Sequence, residues 1–255
     1  MRITTVGTGT AAPHPHRVQS GILIEDRDVR LLIDCGSGVT FRMAALGLEW
    51  DRISHVAISH FHADHTCDLV TLIYAWRHGL LQPRADRVEI IGPEGLATRM
   101  AGMVNAFGDR LLEVPPPITV VELAPGETWR LADDLILASR KVPHTEESVA
   151  YSVSGHGGRV VITGDTGFDT ELGAWASGCD ILLCECSLPD SLALPTHLTP
   201  RQCGALAQIA RPRLLALTHF YPPVEREEIL TQVAESFAGP VVLCEDGWST
   251  NIEAL

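Results

Sequence analysis

The sequence predicts an α/β fold built from two similar halves, and three observations support this. The chain has 255 residues, of which 45% are hydrophobic and 20% charged, enough apolar material for one compact domain over residues 1–255. Short β-branched runs alternate with helical spacings along the chain. Two segment pairs also resemble each other: VAISHF (56–61) with LALTHF (215–220), and LLIDCGSG (31–38) with VVITGDTG (160–167). Chance similarity is the alternative, but both pairs end on metal-capable side chains, which favours duplication.

The strands are predicted from short apolar runs bounded by Gly, Pro and charged turn residues. Helices are predicted from apolar residues at helical intervals, strengthened at 68–79 by an Asp cap and at 199–210 by a Thr cap followed by Pro. The predicted strands are 3–6, 21–25, 29–33, 54–59, 88–91, several within 118–142, 148–154, 160–163, 181–184, 214–217 and 241–243. The predicted helices are 41–48, 68–79, 94–107, 199–210 and 224–237. Pro115–Pro117 is the one candidate for a seam between units.

Charge and cysteine content exclude several classes of protein. The formal net charge of −13 repels phosphate backbones, so a protein that wraps long nucleic acid is disfavoured. No apolar stretch is long enough to span a membrane, and MRITTVGTGT has no signal-peptide core, so we expect a cytoplasmic protein without membrane partners. Seven cysteines without CxxC spacing indicate reduced thiols.

The segment that decides the function is SHFHADH, at 59–65, directly after a predicted buried strand. His60, His62, Asp64 and His65 are four ligand-type side chains within six residues. They cannot all point one way from a strand or a helix, so we expect a loop that wraps a point in space. Imidazole and carboxylate suit Zn²⁺, Fe or Mn²⁺. The alternative is a polar loop that is rich in histidine by chance.

This segment resembles the HxHxDH signature of the metallo-β-lactamase superfamily. The resemblance continues in order along most of the chain, at Asp34 in LLID, His144 in KVPHTEES, Asp165 in ITGDT and His219 in LTHFYP. It implies a four-layer αββα sandwich, with two sheets face to face, helices outside and a dinuclear metal site at the rim between the sheets. Because β-lactamases of this superfamily lack the bridging Asp, Asp165 argues against antibiotic hydrolysis.

The same resemblance implies two divalent metal ions, zinc first, with manganese or iron as alternatives. One ion would be held by His60, His62 and His144 and the other by Asp64, His65 and His219, with Asp165 bridging them. Two closely spaced dications need such carboxylate compensation. Asp34 would orient the HxHxDH segment rather than bind metal.

Finer features are similar to the ribonuclease Z-like branch of the superfamily. The glycine-rich opening ITTVGTGTAAPHPHRVQSG looks like that branch, as do Glu185 in CECS and His197 in HLT, whereas Cys184 and Cys186 depart from its pattern. The resemblance implies that Glu185 orients His197, which would be an acid or a phosphate contact. The alternative is a capped buried carboxylate and a helix-terminal histidine. The long basic arm that grips transfer RNA is missing between Asp165 and His219.

The first hypothesis is therefore a dinuclear phosphodiesterase for small or cyclic nucleotide-like diesters or short RNA ends. Asp64, Glu185 and His197 are its candidate catalytic residues, with Asp64 helping to take a proton from water and His197 donating one to the leaving oxygen. A carboxyl-ester, lactone or thioester hydrolase is the alternative within hydrolases. A metal-binding module without catalysis is the alternative of another class. A homodimer with a contact through 68–79 is compatible with the resemblance.

Two further features remain open. Tyr221 follows His219 and could line the pocket, although Pro222 and Pro223 also predict a rigid turn. His14 and His16, near Arg17, either border the pocket or belong to a solvated loop.

Overall fold

The computed structural model contains two seven-stranded β-sheets packed face to face, with helices on both outer surfaces. It describes residues 1–82, 84–108, 111–112, 116–222 and 226–254. This arrangement confirms the αββα sandwich that the sequence resemblance implied.

The first sheet has the strand order β14-β1-β2-β3-β4-β5-β6. Its strands are β1 (Arg2–Gly7), β2 (Gly21–Asp26), β3 (Val29–Ile33), β4 (His55–Ala57), β5 (Val88–Gly92), β6 (Ile118–Glu122) and β14 (Ser249–Asn251). Neighbouring strands are antiparallel from β14 to β3 and parallel from β3 to β6.

The second sheet follows the same plan, with the order β13-β12-β11-β10-β9-β8-β7. Its strands are β7 (Thr128–Ala132), β8 (Leu135–Lys141), β9 (Val149–Gly155), β10 (Gly158–Ile162), β11 (Ile181–Glu185), β12 (Leu214–Thr218) and β13 (Val241–Leu243). Pairing is antiparallel from β7 to β10 and parallel from β10 to β13. The shared plan agrees with the prediction of two similar halves.

Only one of the two pairs of similar segments, called sequence echoes below, lies on equivalent strands of the two sheets. LLIDCGSG begins in β3 and VVITGDTG in β10, and each of these strands is the one at which its sheet changes from antiparallel to parallel pairing. VAISHF begins in β4, which is next to β3, whereas LALTHF begins in β12, which is separated from β10 by β11. The topological counterpart of β4 is β11. The second echo therefore reflects a common local requirement, a buried strand that ends at a polar loop, and not a common position.

The helices divide between the two outer faces. They are α1 (Val39–Ala45), α2 (Ala63–Thr66), α3 (Leu69–His78), α4 (Leu96–Phe107), α5 (Thr170–Trp175), α6 (Pro200–Ala210) and α7 (Arg226–Ala234). Apolar residues of α1, α3 and α4 pack on the first sheet, and those of α5, α6 and α7 pack on the second. The Thr cap predicted at α6 is present, and the structure adds a capping box: Thr199 accepts from the backbone of Gln202, and the Gln202 side chain accepts from the backbone of Thr199.

Differences from the prediction concern short elements. Helix α1 begins earlier than the predicted 41–48, because Gly38 takes a positive φ of 88° that allows a sharp entry to the helix. Helix α5 was not predicted, since six residues are too few to show helical periodicity. Strand β14, with the sequence STN, was not predicted because it lacks the apolar run by which the other short strands were recognised. The predicted start of the last helix at Val224, and the Pro115 end of the candidate seam, lie outside the described residues.

The core between the sheets also contains directed polar contacts. The hydroxyl of Tyr151, in β9, donates to the carbonyl of Ile58, just after β4, at 2.8 Å. The indole of Trp129, in β7, donates to Glu89, in β5, at 2.7 Å. Both bonds join one sheet to the other, so they fix how the sheets face each other.

All seven cysteines are free thiols, six of them buried, in agreement with the predicted reduced state. Within the described residues, no helix has the length and apolar character needed to cross a membrane.

Candidate metal centre

The carboxyl ends of parallel strands from both sheets meet at one rim of the sandwich. Asp34 directly follows β3, Ser59 and His60 closely follow β4, and His219 directly follows β12. Asp165 lies just beyond β10, and Glu185 is the last residue of β11. Ligands of α/β sheets bind at such strand ends, so the topology brings together residues that are far apart in sequence.

The HxHxDH segment, residues 60–65, runs from an extended stretch into one turn of helix. His60 is fully buried and His62 is exposed at the cap position of α2. Asp64 and His65 lie on α2 itself. The expectation of a loop throughout this segment was therefore wrong for its second half. A helical turn separates the directions of successive side chains by about 100°, which lets Asp64 and His65 reach the same space from neighbouring positions.

Two groups of ligand-type side chains share one carboxylate. In each group the candidate ligand atoms lie within 4.8 Å of one another. The first group is His60, His62, His144 and Asp165, and the second is Asp64, His65, Asp165 and His219. These are the seven residues that the sequence resemblance selected as ligands.

Asp165 lies between the two groups, with one oxygen towards each. Its Oδ2 is 3.9 Å from His60 Nε2 and 3.8 Å from His144 Nε2. Its Oδ1 is 3.3 Å from His65 Nε2 and 3.4 Å from His219 Nε2. A carboxylate so placed can contribute an oxygen to each of two cations.

The residues fit a metal site because their buried nitrogens lack protein partners. The Nε2 atoms of His60, His65 and His219 are buried and have no hydrogen-bond partner in the structure. Such orphaned polar atoms are costly and rare in folded proteins, so three in one place need a partner. Imidazole nitrogens beside carboxylates are the donor set that zinc and similar divalent ions prefer.

The other ring nitrogens are held by neighbouring groups. The Nδ1 atom of His65 lies 2.6 Å from Asp34 Oδ2, that of His219 lies 2.9 Å from Ser187 Oγ, and that of His60 lies 3.1 Å from Ser59 Oγ. Metal-binding histidines commonly use one nitrogen for orientation and the other for the ion. The partners therefore aim the free nitrogens at the centre.

Asp34 holds the HxHxDH segment in place. Its carboxylate accepts from the backbone N–H of Ser59 at 2.8 Å and from the Ser59 hydroxyl at 2.9 Å, as well as contacting His65. Asp34 adopts a positive φ of 60°, which is strained for a residue with a side chain. It belongs to neither candidate group, and its contacts with Ser59 and His65 are those expected of a residue that orients the segment.

Burial and charge set the ionisation of the site. Burial lowers the pKa of His60 far below its usual range and keeps the ring neutral. Burial alone would raise the pKa of Asp165, but His219 and His65 hold it well below the ordinary value. Burial alone would lower the pKa of His65, but Asp165 and Asp34 raise it well above the ordinary value. A dication at His65 Nε2 would take the place of the proton that these carboxylates favour.

Glu185 is the centre of a buried hydrogen-bond network. It accepts from the backbone N–H of Thr166 at 2.6 Å, next to Asp165, and from the hydroxyl of Ser187, which contacts His219. His197 Nδ1 lies 3.1 Å from Glu185 Oε1. The predicted contact between Glu185 and His197 is present, and Glu185 additionally connects the segments that carry Asp165 and His219.

The loop 186–199 brings His197 to the edge of the centre. Its ring lies 4.8 Å from that of His144 and 6.1 Å from that of His219, between centroids. Close approach of this loop depends on Gly167, since a Cβ there would lie 1.8 Å from the carbonyl oxygen of Pro195. Burial alone would lower the pKa of His197, but the hydrogen bond and charge of Glu185 raise it above the usual value.

The sequence analysis missed Asp246, which holds the segment around Thr8 that is hydrogen-bonded to the backbone of His219. The Asp246 carboxylate accepts from the N–H and hydroxyl of Thr8, at 3.0 and 2.7 Å, and from the N–H of Val18 at 2.8 Å. The carbonyl of Thr8 then accepts from the N–H of His219 at 3.1 Å. His219 itself has a positive φ of 61°, so its backbone depends on such support. Asp246 lies 238 residues from Thr8, and no local spacing could have revealed the contact.

Comparison with known proteins agrees with this geometry. The family model described as a beta-lactamase superfamily domain matches residues 29–220. An uncharacterized protein of Mycobacterium leprae is 31% identical over all of this chain and 89% of its own. A ribonuclease Z of Mycobacterium bovis is 29% identical over 96% of each chain.

Solved structures show the same fold. The metallo-β-lactamase fold protein YhfI from Bacillus subtilis aligns over 98% of both chains, with a TM-score of 0.85 and 21% identity. The short form of human tRNase Z aligns over 99% of both chains, with a TM-score of 0.78 and 23% identity. A diphosphatase of the PhnP family aligns over 98% of this chain and 96% of its own chain, with a TM-score of 0.72 and 18% identity.

The shared carboxylate leads to a first prediction. We expect Asp165→Ala to reduce the amount of bound metal by about half, because the second group then keeps three ligands and the repulsion between two cations is no longer offset. Elemental analysis after dialysis measures this. Asp133→Ala, at an exposed position, is the control and keeps the wild-type metal content. Wild-type metal content in Asp165→Ala would rule out the shared role.

The contact between Asp246 and Thr8 leads to a second prediction. We expect Asp246→Asn to weaken metal binding by about 10- to 100-fold, the usual effect of changing groups that orient ligands. Competition with a chelator measures the affinity. Asp180→Asn is the matched control, since Asp180 also accepts from a backbone N–H, that of Arg159 at 2.8 Å, at the start of β10 and thus at the opposite end of that strand from Asp165. Equal metal affinity in the two variants would show that Asp246 serves stability alone.

Proposed function

Because the chain belongs to the beta-lactamase superfamily and is a metal-dependent hydrolase, we propose that it hydrolyses small phosphodiesters at a centre of two divalent ions. The observation that carries this proposal is the position of Asp165, whose two carboxylate oxygens each face a different group of histidines. With two ions bound, each oxygen would contribute to a different one. The named relatives and neighbours, a ribonuclease Z, a tRNase Z and a diphosphatase, support cleavage of a phosphorus–oxygen bond.

The donor set supports zinc, with manganese or iron as alternatives. His60, His62 and His144 would hold one ion, and Asp64, His65 and His219 the other, with Asp165 shared. When bound, such a pair of ions lowers the pKa of water and stabilises the negative charge that develops on the phosphate.

The chain itself supplies the groups that handle protons. The carboxylate of Asp64 lies beside the histidine nitrogens of the second group, where it can accept a proton from the attacking water. His197 has Nδ1 occupied by Glu185, which leaves Nε2 to donate to the leaving oxygen. Glu185 acts through His197 and is a positioning residue in this scheme.

The net charge of the protein and the make-up of the segment from Asp165 to His219 support a small substrate. The formal net charge is −13, and a protein that grips many phosphates needs clustered Lys and Arg instead. The segment from Asp165 to His219 is fully described and consists of α5, β11, the loop 186–199, α6 and β12. That segment contains no extended basic arm for transfer RNA.

The substrate class is tested with a panel of chromogenic compounds and a transfer RNA precursor. We expect turnover of bis(p-nitrophenyl) phosphate that exceeds turnover of the precursor and changes little with salt, because few phosphates are bound outside the centre. The panel includes a lactone, a thioester and a β-lactam. Faster turnover of one of these three compounds would show that a phosphodiester is not the substrate class. Strongly salt-dependent cleavage of the precursor would show that the substrate is a transfer RNA and not a small molecule.

The role of His197 is tested by the leaving group. We expect His197→Ala to keep its metal and to slow hydrolysis of a dinucleoside monophosphate by about 10²–10⁴-fold, since an alkoxide must be protonated to leave. Hydrolysis of bis(p-nitrophenyl) phosphate should slow much less, because p-nitrophenolate leaves unprotonated.

The control for this experiment is His156→Ala, at an exposed histidine on the turn between β9 and β10. Equal losses on both diesters would assign His197 to phosphate binding. Full activity of His197→Ala on both would remove it from the mechanism.

A further inference from the structure

A cavity lies next to the candidate metal centre, beyond the ends of β12 and β13. Its volume is about 200 Å³. His14 and Arg17 line it from the loop after β1, and Phe220 and Tyr221 line it from the segment after His219. Ile229 of α7 and Leu243 of β13 give it an apolar side. Nothing in the proposed hydrolysis uses these side chains.

Tyr221 connects this cavity to the metal centre. Its ring centroid lies 6.0 Å from that of His219 and 6.3 Å from that of His197, and both pairs meet edge to face. The same phenol thus borders the cavity on one side and two histidines of the centre on the other. A molecule whose phosphate lies at the metals can therefore extend a neighbouring group past Tyr221.

The side chains of the cavity suit a flat aromatic group. The guanidinium of Arg17 lies 5.1 Å from the centre of the Phe220 ring. It is held in place, since it donates to the Thr8 hydroxyl at 2.5 Å and to the carbonyl of Cys244 at 2.7 Å. Aromatic rings and guanidinium planes are the groups on which proteins stack nucleobases.

The size of the cavity narrows the choice of occupant. Pockets for drug-sized ligands have volumes of about 300–1,000 Å³, so 200 Å³ suits one ring system and not a whole nucleotide. A phosphate group at the metals and a ring in this cavity would together make a nucleotide. Arg17 and His14 also give this part of an acidic protein a local set of nitrogen donors for the edge of a base.

We propose that this cavity is the subsite for the nucleobase of a nucleotide phosphodiester, with Tyr221 as the side chain that separates base from phosphate. The proposal rests on the proposed hydrolysis of phosphodiesters and adds the class of group that the substrate carries. It makes Tyr221 a specificity residue, since it contacts the part of the substrate that does not react.

The test compares esters that share one leaving group. Thymidine 5′-(p-nitrophenyl phosphate) and its 3′ isomer carry a base, whereas methyl p-nitrophenyl phosphate carries none. We expect the wild-type protein, loaded with zinc, to prefer at least one thymidine ester by about 10-fold or more in kcat/KM. Tyr221→Ala should lose that preference through a higher KM, because the base then loses its contact with the Tyr221 ring, and contact with one aromatic ring is worth about 10- to 100-fold.

Two further variants separate recognition from folding. Tyr221→Phe keeps the ring and should keep the preference. Phe41→Ala, which removes an aromatic ring exposed on α1, is the matched control and should also keep it. Titration calorimetry with thymidine, with deoxyribose as the control probe, measures the subsite without turnover.

Each outcome decides one of the two proposals. Equal kcat/KM for all three esters, or a preference that survives in Tyr221→Ala, overturns the base subsite and leaves the diesterase standing. If none of the esters is hydrolysed, the proposed function fails. The subsite is then decided by calorimetry alone, where thymidine binding that is lost in Tyr221→Ala supports it and absence of binding refutes it.

Discussion

The buried carboxylate of Asp165 is the constraint on which the rest of the site depends. Four histidine nitrogens face its two oxygens at 3.3–3.9 Å, and its side chain is only 3% exposed. A charge in such a position is tolerated only when it is compensated. The next backbone N–H is held by Glu185, so the position of Asp165 is set jointly by the ends of β10 and β11. Both halves of the sandwich must therefore close before the two histidine groups can share one anion.

The two candidate ligand groups were predictable from sequence because their residues have local signatures. His60, His62, Asp64 and His65 lie within six residues, and Asp165 and His219 each follow an apolar strand within three residues. Residue type and strand end are properties of short segments, so they survive in a sequence without its structure. The layer architecture followed from the family resemblance rather than from periodicity, which located the longer helices and strands but says nothing of how sheets stack.

The supporting contacts of Ser187 and Asp246 were not predicted, unlike those of Asp34 and Glu185. Ser187 belongs to the CECS segment, but nothing in that segment shows that its hydroxyl lies between Glu185 and His219. Thr8 contacts Asp246 and His219 only after β1 has joined its sheet. Sequence similarity was also misleading for VAISHF and LALTHF. These segments are alike because each is a buried strand that ends at a polar loop, but their strands, β4 and β12, do not occupy equivalent positions in the two sheets. A polar residue after a buried strand shows that a site is near. Which strand end it faces is decided by topology.

The contact between Thr8 and Asp246 has a consequence for the order of events during synthesis. Some 180 residues separate the HxHxDH segment from Asp246. At about 5–20 residues per second, the ribosome takes roughly 10–35 s to add them. During that interval the nascent chain already carries His60, His62, Asp64 and His65, while the segments around His219 and Asp246 are still to be made. The full set of candidate ligands and its support can therefore come together only late in synthesis.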